Sequence, residues 1–166
     1  EGGVWHMVKT NMPEFFAQAN ARNPTGRCAT PQEIANAYDN TIAYTDKVLA
    51  DIIRVLQSRD ALATAMIYMS DHGESLGEGG MYLHGAPYFM APDTQTKVPA
   101  ILWMSQNFED QLGIDRRCMA AKAGDALSHD NLFHSLLGML DIQTAERDNA
   151  LDIFATCKNA PKGLSN

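Results

Sequence analysis

Two continuous apolar runs, at residues 64–69 and 98–104, place the strongest restriction on the fold of this chain. Each run has the length of a strand and is bounded by polar residues, which is typical of strands buried on both faces. A long helix is predicted before the first run, and another helix is predicted after the second. This order of elements indicates a layered α/β domain.

The first helix has a clear start at Thr30, Pro31 and Glu33. Thr30 suits the N-cap, Pro31 suits the first helical position, and Glu33 is placed to complete a capping box with Thr30. We expect this helix to run to about Ser58. Apolar side chains at spacings of three and four predict one face that packs on a sheet: Ile34, Tyr38, Ile42, Leu49, Ile52 and Leu56.

A second helix is expected to begin after Ser128 as N-cap and to run to about Leu140. Nearer the start of the chain, residues 4–8 are expected to form a strand end and residues 13–19 a short helix. The apolar residues expected to face inward on the second long helix are Leu132, Phe133, Leu136, Leu137 and Leu140.

The composition of the chain argues against some classes of function. The chain has 166 residues, of which 45% are hydrophobic and 20% charged, as expected for a folded domain with a sizeable core. Its net charge of -7 comes with no basic stripe, so we expect no nucleic-acid partner. No apolar run approaches the roughly 20 residues of a membrane-spanning helix, so any anchor or export signal is expected outside this sequence.

The three cysteines, Cys28, Cys118 and Cys157, are too scattered for a zinc knuckle, which needs closely spaced pairs. Two interpretations are open from the residues alone. They are either buried free thiols, or one disulfide and a leftover thiol in an oxidising compartment.

The chemically informative stretch, residues 70–85, begins where the first apolar run ends. Asp71 and His72 offer an oxygen and an imidazole nitrogen, ligands that suit zinc, and His84 can return to the same pocket. The alternative is that Asp71 caps a turn and that both histidines are ordinary loop residues. Four glycines permit the backbone to turn and to approach a phosphate closely: Gly73, Gly77, Gly79 and Gly80.

A set of ordered motifs resembles the lipid A phosphoethanolamine transferases of the alkaline phosphatase/sulfatase superfamily, a group that includes colistin-resistance enzymes. The resemblance covers about residues 34–157, and its most specific part is the Ser-Asp-His-Gly-Glu-Ser-Leu-Gly element from Ser70. The motifs are Tyr38-Asp39-Asn40, residues 70–78, Tyr82-Leu83-His84-Gly85, Val98-Pro99-Ala100 and residues 127–134.

The resemblance implies an alkaline phosphatase/sulfatase-like α/β fold, with a mainly parallel central sheet flanked by helices and incomplete on its N-terminal side. Residues 1–166 would then be the C-terminal part of a single periplasmic catalytic domain at the inner membrane. In the implied reaction, a threonine attacks phosphatidylethanolamine, diacylglycerol leaves, and phosphoethanolamine passes to a lipid A phosphate. Zinc is the implied cofactor, because metal coordination favours the alkoxide of a hydroxyl nucleophile.

Carried over by position, Asp71 and His72 resemble the zinc ligands of the family, and His84 resembles a histidine that holds a second metal or the phosphoryl group. His6 resembles another such histidine, although the sequence after it departs from the family, and a solvated strand-end histidine is the alternative. The nucleophilic threonine and a glutamate ligand have no counterpart here. We therefore expect no catalytic nucleophile in this chain, little activity in isolation, and membrane association through a region outside it.

Two other hypotheses about function compete with the transferase hypothesis. One is a sulfatase or phosphodiesterase that shares the metal core, and the other is an inactive remnant.

The resemblance also implies a periplasmic disulfide between Cys118 and Cys157, which leaves Cys28 without its usual partner. We expect Glu74 and Glu78 to be either loop carboxylates or acceptors that orient a ligand histidine. We expect His129 and His134 to have capping or supporting roles and not catalytic ones.

Overall fold

The computed structural model describes residues 30–159. The strand end expected at residues 4–8 and the short helix expected at residues 13–19 lie outside the described residues. His6 and Cys28 lie outside them as well.

Helix α1 spans Pro31–Gln57, and its start confirms the capping box. The Glu33 backbone N–H donates to Thr30 Oγ1 at 3.3 Å, and the Thr30 backbone N–H donates to Glu33 Oε2 at 2.8 Å. Helix α1 contacts strand β2 (Ser75–Leu76). No residue of α1 is buried by the described part of the chain, and Ile42 on the predicted inner face is 51% exposed.

Strands β1 (Ala65–Met69) and β4 (Ala100–Met104) confirm the two apolar runs. Within residues 30–159 they form a two-stranded antiparallel sheet, with Ile67 opposite Leu102. The parallel pairing expected from the resemblance is therefore not seen in this part of the chain. Burial on both faces was also the wrong expectation here, since β1 is half-buried throughout and Ile101 is 37% exposed.

Short elements fill the space between and after these strands. Strands β2 and β3 (Tyr82–Leu83) form a second antiparallel pair, with a single 3₁₀ turn at Glu78–Gly80 between them. Helix α2 (Asp93–Thr96) precedes β4. Three further helices follow: α3 (Gln106–Leu112), α4 (Arg116–Ala121) and α5 (Asp130–Met139), with a 3₁₀ turn at Lys122–Gly124.

The hydrophobic core lies at the end of β4, between α3, α5 and the C-terminal segment. Phe154 is completely buried, and each large apolar side chain of this kind contributes roughly 1.5–3 kcal/mol when it leaves water. Partly buried side chains of β1 and β4, including Ile67 and Leu102, pack against it. The buried cluster consists of Met104, Phe108, Ile114, Met139 and Phe154.

The prediction of which residues of the second long helix, α5, face inward is wrong for three of them. Phe133 is 54% exposed, Leu136 37% and Leu140 56%. The buried residues are instead Ser135, Gly138 and Met139, because a polar segment packs there. Ser135 Oγ accepts the backbone N–H of Ile153 at 3.1 Å, and the Asp152 carboxylate occupies the space beside Gly138 that a side chain would fill.

Backbone pairing, an ion pair and a disulfide hold the C-terminal segment. The buried Asp152 carboxylate is paired with Arg147 at 2.5 Å, and the Asp115 backbone N–H donates to the Cys157 carbonyl at 2.8 Å. The Cys118–Cys157 disulfide, with its Cα atoms 5.4 Å apart, confirms the expected pairing. This bond joins α4 to the segment that covers the core.

Replacing both Cys118 and Cys157 with serine should lower the free energy of unfolding by about 2–4 kcal/mol, because the unfolded chain then loses a cross-link. Denaturant unfolding of the purified, oxidised protein measures this change. The matched control is Ala123→Ser, which introduces a serine at an exposed position and should leave stability nearly unchanged. An equal loss in the control, or no loss in the double variant, would contradict the expectation.

Candidate active site at the end of strand β1

Asp71 and His72 follow the end of β1 and point their free donor atoms to the same side. Asp71 Oδ1 accepts the His72 backbone N–H at 3.0 Å, and Asp71 Oδ2 lies 3.8 Å from His72 Nε2. The backbone N–H groups of His72 and of Asp71 itself, with the His72 ring, hold the pKa of the Asp71 carboxyl below its usual range. Asp71 is therefore an ionised carboxylate at neutral pH.

The tautomer of His72 follows from its hydrogen bond. Its Nδ1 lies 2.8 Å from the Gly73 carbonyl oxygen, which can only accept, so Nδ1 carries the proton. In the neutral ring, the Nε2 atom then carries a lone pair on the side of Asp71 Oδ2. A metal-bound imidazole commonly has this arrangement, with its other nitrogen donating to a backbone carbonyl.

The structure brings His84 to the same place. The rings of His72 and His84 are 4.0 Å apart between centroids and tilted by 30°. His84 Nδ1 lies 3.2 Å from Glu74 Oε2, so Glu74 is an acceptor that orients a histidine. Glu74 Oε1 is buried and has no hydrogen-bond partner among the residues that the structure describes.

Glu78 and the two later histidines have local roles. Glu78 Oε2 accepts the Leu76 backbone N–H at 2.7 Å and so stays within its own loop. His129 Nε2 lies 2.8 Å from the Ser70 carbonyl oxygen, which ties the start of α5 to the end of β1. His134 Nδ1 accepts the Asp148 backbone N–H at 2.9 Å. These contacts agree with supporting roles for both histidines. The N-cap residue of α5 is His129 and not Ser128, and the His129 side chain makes no capping hydrogen bond.

Tyr38 on α1 lies within electrostatic range of this site. Burial, followed by the charges of Glu74 and Tyr68, raises the pKa of the Tyr38 hydroxyl. The sequence placed Tyr38 on the apolar face of α1 and in the Tyr38-Asp39-Asn40 motif, but gave no signal that it interacts with Glu74, because the two residues belong to different elements.

Helix α2 holds the loop that carries these residues. The Gly73 backbone N–H donates to the Gln95 carbonyl at 2.9 Å, and the Glu74 N–H donates to the Thr94 carbonyl at 3.0 Å. A Cβ at position 73 would overlap the Thr94 carbonyl oxygen. Gly73 is thus required by close backbone approach within the protein.

Two donors of the types that zinc prefers, Asp71 Oδ2 and His72 Nε2, are available together. Within residues 30–159, no group of three or more His, Cys, Asp or Glu side chains is arranged to hold a metal ion. Since structural and catalytic zinc sites use three or four protein ligands, the described residues fit part of such a site.

Comparison with known proteins agrees with this geometry. The family model described as Sulfatase matches residues 4–142. The chain belongs to the sulfatase family. This sulfatase-family chain is 42% identical to phosphoethanolamine transferase EptA of Escherichia coli K12, over 93% of the chain and 30% of that relative. It is 43% identical to phosphatidylethanolamine transferase Mcr-1 of Escherichia coli, over 86% of the chain and 26% of that relative.

Solved structures give the same result. The soluble domain of lipooligosaccharide phosphoethanolamine transferase A from Neisseria meningitidis superposes with a TM-score of 0.76 at 42% identity, covering 80% of this chain and 40% of that one. The C-terminal periplasmic domain of phosphoethanolamine transferase EptC from Campylobacter jejuni has a TM-score of 0.69 at 38% identity, with 80% and 42% covered. The motif-based resemblance to phosphoethanolamine transferases is confirmed.

The chain spans about 30% of the length of the EptA relative. Between residues 30 and 159, the structure contains no helix with the length and apolar character needed to cross a membrane.

Gly73→Ala should destabilise the sulfatase-family protein by about 1–3 kcal/mol, because the added methyl group forces the site loop away from α2. Gly124→Ala is the matched control, since a Cβ there meets nothing within 4 Å. Chemical denaturation of both variants tests this difference. Equal stabilities would show that the loop yields without strain.

Proposed function

We propose that the protein containing this chain transfers phosphoethanolamine from phosphatidylethanolamine to a phosphate of lipid A, through a phosphorylated threonine. The observation that carries the proposal is the Asp71–His72 pair, with His72 Nδ1 bonded to the Gly73 carbonyl, in a chain similar to phosphoethanolamine transferases along almost its whole length. No relative named above is called a sulfatase or a phosphodiesterase, so the hydrolase alternative is not favoured.

Each step exchanges one bond at phosphorus. The threonine oxygen forms a bond to phosphorus while the bond to the diacylglycerol oxygen breaks, and a lipid A phosphate oxygen then displaces the threonine. The threonine is proposed to lie in a part of the protein outside this chain. Both steps gather negative charge on the phosphoryl oxygens, which a nearby cation offsets.

Zinc is the proposed cofactor, with Asp71 Oδ2 and His72 Nε2 as two of its ligands. When bound, zinc favours the ionised form of the threonine hydroxyl and offsets phosphoryl charge. Asp71 is ionised, and in the neutral ring of His72 the proton on Nδ1 leaves Nε2 as the atom that binds the metal.

His84 is proposed to hold a second metal or the phosphoryl group. Because Glu74 accepts from Nδ1, the Nε2 atom of His84 is the one that faces the ligand. His6 is proposed for the same role from the resemblance alone, since it lies outside the described residues.

The remaining proposals concern the whole protein. We propose that β1 and β4 belong to a larger, mainly parallel central sheet, as the sulfatase-like fold implies. The catalytic domain is proposed to lie on the periplasmic face of the bacterial inner membrane, anchored by a region outside this chain. A Neisseria meningitidis relative of this chain is described as an integral membrane protein, which supports the anchoring.

Asp71→Ala and His72→Ala in the full-length protein should each lose bound zinc and lose transfer activity, because a four-coordinate site then lacks a ligand. Metal analysis after dialysis measures the zinc. Mass spectrometry of lipid A, after incubation with phosphatidylethanolamine, measures the transfer. Asp110→Ala is the control, because Asp110 is exposed and lies on α3, which follows the end of β4 that pairs with Ala65 and not the end beside Asp71.

Three results would decide against the proposal. If transfer persists in the Asp71→Ala variant, then Asp71 does not belong to the active site. If the wild-type protein binds no zinc, then zinc is not its cofactor. Release of phosphoethanolamine to water, with no product on lipid A, would identify a hydrolase of the same family.

A further inference from the structure

Gln95 in α2 is a buried polar residue, 8% exposed, that lies between the strand ends carrying the two site histidines. We propose that Gln95 is a positioning residue that fixes His84 against His72. The inference rests on the proposed function for its effect on catalysis, but its effect on the His84 ring is independent of any reaction.

The side-chain amide of Gln95 bridges two strands. Its Nε2 donates to Ser75 Oγ at 2.7 Å and to the Leu83 carbonyl at 3.1 Å. An amide nitrogen has two N–H groups, so it can make both bonds at once. Because the Leu83 carbonyl only accepts, the nitrogen and not the oxygen of the amide must face β3, which fixes the orientation of the side chain.

The backbone of Gln95 adds a third connection. Its carbonyl accepts the Gly73 N–H at 2.9 Å, and Gly73 directly follows His72. One residue therefore contacts the chain immediately after His72 and immediately before His84. Those histidines are twelve positions apart in the sequence, yet their rings lie 4.0 Å apart.

Leu83 shows why such a contact is needed. Its φ of 67° lies in the left-handed region, which costs a residue with a Cβ conformational energy. This turn aims the chain so that His84 reaches Glu74 and His72. The pairing of β2 with β3 covers only Ser75–Leu83 and Leu76–Tyr82, which is too short to hold such a conformation unaided.

Loss of the amide donors should let Leu83 relax toward an ordinary φ and swing His84 away from Glu74. Gln95→Met tests this in the full-length protein, since methionine keeps the length and removes both donors. Gln95→Glu is a second variant that keeps the shape but cannot donate to the Leu83 carbonyl. Gln106→Met is the matched control, because Gln106 is exposed and its amide bonds only Asp110.

Transfer kinetics give the first readout. Both Gln95 variants should lower kcat by about 100-fold, the effect of a misplacement near 1 Å, with KM little changed. The Gln106 control should match the wild type. A purely structural role for Gln95 would lower the melting temperature and leave kcat per folded molecule intact, and that result would overturn the proposal.

The His84 tautomer gives the second readout and needs no activity. Glu74 accepts from Nδ1, so His84 should carry its proton on Nδ1, whereas a free neutral imidazole prefers Nε2. Proton–nitrogen spectra of ¹⁵N-histidine-labelled protein at alkaline pH report this, with the His84 signal assigned by its loss in His84→Gln.

The Gln95 variants should shift His84 toward the Nε2 tautomer, and Gln106→Met should not. An unchanged His84 signal in both folded Gln95 variants would overturn the positioning role. If the wild-type protein shows no transfer at all, the proposed function fails, and the tautomer comparison still decides the role of Gln95.

Discussion

The pairing of β1 with β4 is the constraint on which both the core and the site depend. At one end of the ladder, the Ser105 N–H donates to the Thr64 carbonyl at 2.9 Å, and the chain continues into α3 and the core. At the other end, the Ser70 N–H reaches the Pro99 carbonyl at 3.3 Å. Because β4 directly follows α2, the same register places α2 beside the loop that begins at Asp71.

The core and the site differ in how they are stabilised. Around Phe154 the chain uses apolar burial, a disulfide and a buried ion pair. The site loop uses hydrogen bonds to α2 and contains side chains that remain partly exposed. A face of α1 that is apolar in sequence stays half-exposed, with Ile42 51% and Val55 59% open.

Local patterns in the sequence predicted the elements that local physics determines. The capping box at Thr30 defined the start of α1, and the apolar runs defined β1 and β4 to within two residues. Strand direction was not predictable, because an apolar run reads the same in parallel and antiparallel sheets. The inner face of α5 was mistaken because Asp152, distant in sequence, packs against Gly138.

The arrangement of the candidate site was predictable in part. Asp71 and His72 are adjacent in sequence, the motif that contains them predicts that they act together, and their side chains lie close to each other. The disulfide of Cys118 and Cys157 followed from the resemblance and not from the residues themselves. The hydrogen bond of Gln95 to Leu83 and the influence of Glu74 on Tyr38 were not predicted, because each joins segments far apart in the chain. Spacing rules describe one element at a time and contain no information on such contacts.

Protonation and ligand number are set by different parts of this site. The His72 tautomer is determined within two residues, since Nδ1 donates to the carbonyl of the next residue. Asp71 is kept ionised by backbone N–H groups equally close in sequence. The backbone next to each side chain therefore sets its orientation. The number of ligands in the proposed zinc site depends, in contrast, on segments distant in the sequence, and within residues 30–159 no group of three or more His, Cys, Asp or Glu side chains is placed to hold a metal ion.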